Sequence, residues 1–311
     1  MITKKEVSYP GFGKCLELSN GTVSVVVTLD FGPRIIRYSF VDGENIMFED
    51  TARDFYEKGK GLEKAYGKGS VWYIYGGHRL WSSPEDYPGS YYPDNEPIKA
   101  VKTEKGAVFT PEIQRWNQYG CEIEVELEDE GSSVCVLHRI TNYAKSDITL
   151  APWSISALSP GGTEIVPLPV QDTEFSPNRH FTFWPDVNLR DERVTWLERY
   201  MVLKQDKNVN GKFKMGVNSE QGYALYFNNG DVFLKQFEVK EKGIYPDGGM
   251  SFETYTNQLF LEMESLGELK TLGCGKATEH KEKWALFKGE LPEINDDAIE
   301  ERIKKLLKHR T

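Results

Sequence analysis

Between residues 20 and 290 the apolar side chains recur mostly at every second position, in short segments separated by turn residues, and this confines the chain to strands. Cys121-Glu122-Ile123-Glu124-Val125-Glu126-Leu127 alternates without a break. A Glu-Asp-Glu-Gly-Ser-Ser turn follows, then Val134-Cys135-Val136-Leu137-His138-Arg139-Ile140, which together read as a hairpin. Val23-Ser24-Val25-Val26-Val27-Thr28-Leu29 runs into Asp30-Phe31-Gly32-Pro33 and resumes at Arg34-Ile35-Ile36-Arg37-Tyr38-Ser39-Phe40, a second strand pair. Further extended segments fall at 148–158, 200–203, 212–217, 223–227, 232–237 and 258–266. Strands at this spacing predict an all-β chain, a large antiparallel sandwich. No internal repeat or linker divides the chain, so residues 1–311 read as one domain.

The C terminus departs from that period. Ile299, Ile303, Leu306 and Leu307 share one helical face, with acids leading and bases trailing as the helix dipole prefers. This predicts a helix over about 295–309 that caps the end of the sandwich. Residues 52–64 read as a second short helix.

The chain carries 38 Lys and Arg against 48 Asp and Glu, a net charge of −10, which argues against general nucleic-acid or membrane-surface binding. No run approaches the roughly 18 apolar residues of a membrane span. The first residues carry no signal-peptide pattern, so the expected location is the cytoplasm. Cys15, Cys121, Cys135 and Cys274 lie far apart, so neither a zinc site nor a disulfide framework is expected. The 7 Trp, 16 Tyr and 16 Phe often stand beside Gly, Pro and acids, a placement suited to half-wet surfaces such as the hydrocarbon face of a sugar.

Candidate chemistry concentrates in polar and aromatic stretches. Tyr75-Gly76-Gly77-His78-Arg79-Leu80-Trp81, in a region that reads as a loop, offers a proton carrier, a fork of donors and a stacking face. In the stretch from Phe252 to Gly267, alternation places Glu262 and Glu264 on one face about 7 Å apart, with Phe260 and Leu266 beside them. Shielding of that face would raise one of their pKa values and make a usable proton carrier. Trp153 and Trp184 are candidate walls of a sugar site, with His180 and Asp186 as polar contacts. Lys235 sits mid-strand, read either as a sugar contact or as a snorkelling edge lysine.

These residues resemble the galactose mutarotase-like superfamily, whose fold is a large antiparallel β supersandwich shared with sugar epimerases. The likeness spans most of 15–288 and is carried by Leu29-Asp30-Phe31-Gly32-Pro33-Arg34, Gly76-Gly77-His78-Arg79-Leu80-Trp81, Tyr245-Pro246-Asp247-Gly248 and Leu261-Glu262-Met263-Glu264-Ser265-Leu266-Gly267. It is similar in particular to a branch with a GG-x-RLW motif. The resemblance implies that Glu262 takes the proton of the anomeric hydroxyl. The family's acid is a histidine, and Trp153 stands at or beside its expected position, so the donor would come from His78 or His180.

The resulting expectation is a carbohydrate-binding protein, a sugar mutarotase or epimerase with Glu262 as base and His78 as acid. Arg79, Trp81, Trp153, His180, Glu264 and Lys235 would be substrate contacts, and no cofactor or metal is required. Two alternatives stay open, a non-catalytic sugar-binding or sensing domain and a two-carboxylate glycoside hydrolase. The acids at 262 and 264 are also of the kind that hold Ca²⁺. The expected partner is a small carbohydrate, with no nucleic acid or membrane; the particular sugar and the oligomeric state are not readable from the sequence.

Overall fold

The computed structural model describes residues 1–308. Two large antiparallel sheets face each other, and the alternation of each strand sends one set of side chains between them. The front sheet runs in the order Thr3–Tyr9, Gly13–Ser19, Val23–Thr28, Ile35–Phe40, His78–Ser83, Ile148–Leu158, Leu261–Leu266, Phe252–Thr256, Phe213–Val217, Phe181–Phe183. The back sheet is built around Asp231–Phe237, Ala277–Lys288, Val134–Asn142 and Tyr119–Leu127. The hairpin expected at 121–140 is the pair Tyr119–Leu127 and Val134–Asn142, with Val125 opposite Val136. Its inward residues Ile123, Val125, Leu127, Val134 and Val136 meet Val25, Val27 and Tyr38 of the front sheet in the core.

Several expectations are corrected. The stretch after Gly77 is not a loop: His78–Ser83 is a strand lying between Ile35–Phe40 and Ile148–Leu158. The glycines bring it there. Gly77 has φ of 64°, and a Cβ on it would stand 2.1 Å from Ile35 O, so only a bare backbone passes this close to the neighbouring strand. Residues 52–64 divide differently from the single helix expected. Tyr56–Lys58 is a strand whose Tyr56 faces Tyr73 of Val71–Tyr73, and the helix is Lys60–Tyr66. An aromatic cross-strand pair favours the extended state there.

The C-terminal helix is Asp296–Lys308; residue 309, included in the expected span, lies outside the described residues. Asn295 caps it, its side-chain oxygen accepting from Ala298 N at 2.9 Å. It does not cap the end of the sandwich. Ile299, Ile303 and Leu306 lie against Ile165, Val202, Leu225, Val232 and Leu234, the outward residues of the back sheet. Those residues form an apolar patch that alternation alone would have turned to water, and the helix covers it.

Among the described residues no helix is long and apolar enough to cross a membrane.

Candidate active site

Five neighbouring strands of the front sheet build a floor from their outward side chains. One row across it reads Arg79, Ile155, Glu264, Glu253, Gly216; the next reads Ala157, Glu262, Tyr255, Lys214; a third reads Trp81, Trp153, Leu266. Above this floor, Phe55, Trp72, Tyr91, Trp184 and Val187 close a cleft of about 280 Å³. That is near the lower end of the roughly 300–1,000 Å³ usual for small-ligand sites.

Charge on the floor is tightly paired. Arg79 Nη1 donates to Glu262 Oε1 at 2.8 Å, with side chains 5% and 9% exposed. The guanidinium carbon lies 4.6 Å from the Trp81 ring centre, and Arg79 Nε has no hydrogen-bond partner among the described residues. Lys214 Nζ lies 3.2 Å from Glu253 Oε2 and 3.4 Å from Glu264 Oε2, and stands 4.5 and 4.4 Å from the ring centres of Trp153 and Trp184. Trp153 Nε1 donates to Glu264 Oε2 at 2.9 Å. Cations held over indole faces gain from the ring quadrupole, and the same rings exclude the water that would screen them.

Burial pushes the Glu264 carboxyl up to about 7, Lys214 opposing it and Glu262 adding to it. Glu253 is raised well above the usual carboxylate range, again by burial first. Burial alone would pull Lys214 down, but Glu264 and Glu253 together hold its ammonium up.

Of the residues expected at the site, the fold brings together Arg79, Trp81, Trp153, Glu262 and Glu264, joined by Trp184. His78 is not among them. It precedes Arg79 on one strand and so points to the opposite face, into the sandwich, where it is fully buried. Lys235 is no edge lysine and no cleft contact: it is also fully buried between the sheets, bonding Ser154 O, Ser156 Oγ and Met263 O and pairing with Glu282 at 2.9 Å. His180 is exposed on a separate groove beside Asn178, Asn218 and Tyr245. Asp186 pairs with Lys212 at 2.9 Å on the rim.

His78 and Lys235 belong to a buried polar chain. Because the His280 carbonyl can only accept, His138 Nδ1 carries a hydrogen and its Nε2 accepts from His78 Nε2–H at 2.7 Å, which leaves His78 Nδ1 to accept from the Ser156 hydroxyl at 2.8 Å while Lys235 donates to Ser156 Oγ. His138 Nδ1–H then donates to His280 O at 3.0 Å. The remaining branch runs from His280 Nε2–H to Ser265 Oγ at 2.7 Å and from Ser265 to Glu282 Oε1 at 2.5 Å. Every ring is neutral in this order, and burial holds His138 and His280 down to about 3. Ligand atoms of His78, His138 and Glu282 lie within 4.8 Å of one another, but these hydrogen bonds and Lys235 already occupy them.

Lys214, Glu253 and Tyr255 were missed. For Lys214 the signal is the one that marks Glu262, a polar residue between apolar ones in Phe213-Lys214-Met215; Glu253 and Tyr255 share a face by strand period, but Thr254 between them breaks the apolar alternation.

No family model matches the sequence, and no curated protein is significantly similar to it. The fold, however, is that of the galactose mutarotase-like proteins. A galactose mutarotase-like protein of Lactobacillus casei superposes with a TM-score of 0.55 at 13% identity, covering 88% of this chain and all of that one (100%). Another, from Clostridium acetobutylicum, gives 0.55 at 11% identity, covering 92% and 99%. A proposed aldose 1-epimerase of Escherichia coli K12 gives 0.55 at 10% identity, covering 93% and 100%. At such identities the likeness is one of fold.

Proposed function

We propose that the cleft binds a small sugar and interconverts its anomers by acid–base catalysis, with Glu262 as the base. The observation that carries this reading is the strand Leu261–Leu266, which presents Glu262 and Glu264 together to an aromatic-walled cleft. Rings of Trp81 and Trp153, with centres 5.6 Å apart and edge to face, offer apolar surface to the C–H faces of a sugar. The oxygens of Glu262, held on the cleft floor by Arg79, suit its hydroxyls. Neighbours of the same fold that are described as mutarotase-like support the substrate class.

Opening the ring requires a base on the anomeric hydroxyl and an acid on the ring oxygen, each worth about 10²–10⁴-fold. Among the described residues no histidine lines the cleft, so the acid is another group. The same observation favours a second reading, a sugar-binding domain without turnover.

Proton NMR of freshly dissolved aldoses, following the anomeric signals, separates the two. Faster equilibration of one sugar supports catalysis. Broadening of one sugar's lines without acceleration supports binding alone, and neither effect with any sugar contradicts both.

A further inference from the structure

Resting on that reading, we infer that Glu253 and Glu264 hold one proton between them and that Glu264 passes it to the ring oxygen of the sugar. Glu253 stands directly opposite Glu264 on the adjacent strand, which places their Cβ atoms about 4.5–5.5 Å apart. Both side chains are about 1% exposed or less, and the Lys214 ammonium touches both. Glu253 Oε1 has no hydrogen-bond partner among the described residues, and Oε2 meets the Lys214 ammonium.

Charge counting across the floor leaves a deficit. Three carboxylates, Glu253, Glu262 and Glu264, face two cations, Arg79 and Lys214, so full ionisation leaves one uncompensated negative charge out of water. A shared proton removes it, as in other carboxyl pairs that cannot both ionise. The remaining charges around the pair do not cancel the deficit: Asp247 beside Glu253 and Glu85 at the rim add negative charge, and Lys212, which also lines the cleft, is paired with Asp186. Tyr255 is held neutral by burial. From the inner side of the sheet Lys235 is already balanced by Glu282, while Glu164, pushed by burial up to about 8, stands under Thr254.

The proton is well placed. Trp153 Nε1 and Lys214 Nζ both contact Oε2 of Glu264, so Oε1 is the oxygen left to carry a hydrogen, and Glu264 lines the cleft. Glu262 and Glu264 are separated by about 7 Å along the strand, room for one hydrogen bond of about 2.7 Å from each to two oxygens on a single carbon. In the step itself Glu262 takes the proton of the anomeric hydroxyl, whose electron pair becomes the carbonyl. The bond from the anomeric carbon to the ring oxygen breaks, and its electron pair receives the proton of Glu264. Reclosure on either face of the carbonyl returns both protons, so nothing is consumed.

The test is the pair Glu253→Gln and Lys214→Met, read by infrared spectroscopy of the protonated carboxyl and by the pH profile of anomeric exchange. Wild-type protein at pH 7 should show a protonated-carboxyl band that Glu253→Gln loses, leaving only that of Glu164. In the same variant the alkaline limb of exchange should move down by about one pH unit or more, since a like charge is gone. Lys214→Met should move it up, because the cation that favours ionisation is gone; loss of a structural contact would not shift the limb in opposite directions. An unchanged band and an unchanged limb in Glu253→Gln overturn the proposal, and if that variant does not fold, a limb that stays in place in Lys214→Met does so. Should no sugar be accelerated by wild-type protein, proton delivery falls together with the catalytic reading, while the band still decides whether the proton is shared.

Discussion

Arg79 donates to Glu262 Oε1 at 2.8 Å from a strand two places away in the sheet, with Ala157 and Ile155 of the intervening strand packed beneath the contact. The pair is out of water yet on the floor of a cleft, so it fixes the position of a carboxylate a ligand can reach.

Breaking that pair from one side should cost stability. Arg79→Leu leaves Glu262 without its partner and is expected to destabilise the protein by about 3–5 kcal/mol. Adding Glu262→Gln should restore much of this. Urea denaturation of the two single variants and the double one measures the coupling, and additive losses would show that the ion pair contributes nothing of its own.

Stability should have a plateau in mild acid and fall on both sides of it. His138 and His280 stay neutral in the fold down to about 3, whereas the unfolded chain protonates them near 6.5. The unfolded state therefore binds more protons between those values, and stability is lost as pH drops through them. Glu164 and Glu264 act oppositely. Raised to about 8 and about 7, they bind protons in the fold that the unfolded chain releases near 4.5, so stability declines as pH rises from about 4.5 to those values. The trends offset between about 4.5 and 6.5 and run unopposed by each other outside it. Urea midpoints measured from pH 3.5 to 8.5 check this; a monotonic rise to pH 8 would contradict the protonated carboxyls.

The C-terminal helix should matter to stability and not to the cleft. Ile303→Ala opens a gap under the helix against Leu225 and Leu234, on the face of the back sheet remote from the front-sheet floor. The expected loss is about 2–4 kcal/mol, with sugar affinity unchanged within about twofold. Thermal unfolding and a binding titration on the same sample read both effects.

Alternation made the Glu262 and Glu264 face and the 121–140 hairpin legible in the sequence, because a strand's period fixes which side chains travel together. The same rule, once His78-Arg79-Leu80-Trp81 is known to be a strand, separates His78 from Arg79; the double glycine before it made the stretch read as a loop. The positions of Lys235 and Glu282 could not be read from their own strands. A lysine mid-strand looks alike at a wet edge and at a sheet centre, and only the pairing of Asp231–Phe237 between Tyr223–Asn228 and Ala277–Lys288 decides it. The approach of Lys214 and Glu253 to Glu264 depends likewise on strand order, which sets Glu253 opposite Glu264 and brings Lys214 into the neighbouring row.

The central claim, that Glu262 moves the anomeric proton, is tested most directly by comparing wild type with Glu262→Gln on whichever sugar the NMR panel identifies. The account predicts that exchange slows about 10²–10⁴-fold while the dissociation constant shifts only as far as one lost hydrogen bond allows, about tenfold or less. Exchange in Glu262→Gln as fast as in wild type would contradict it.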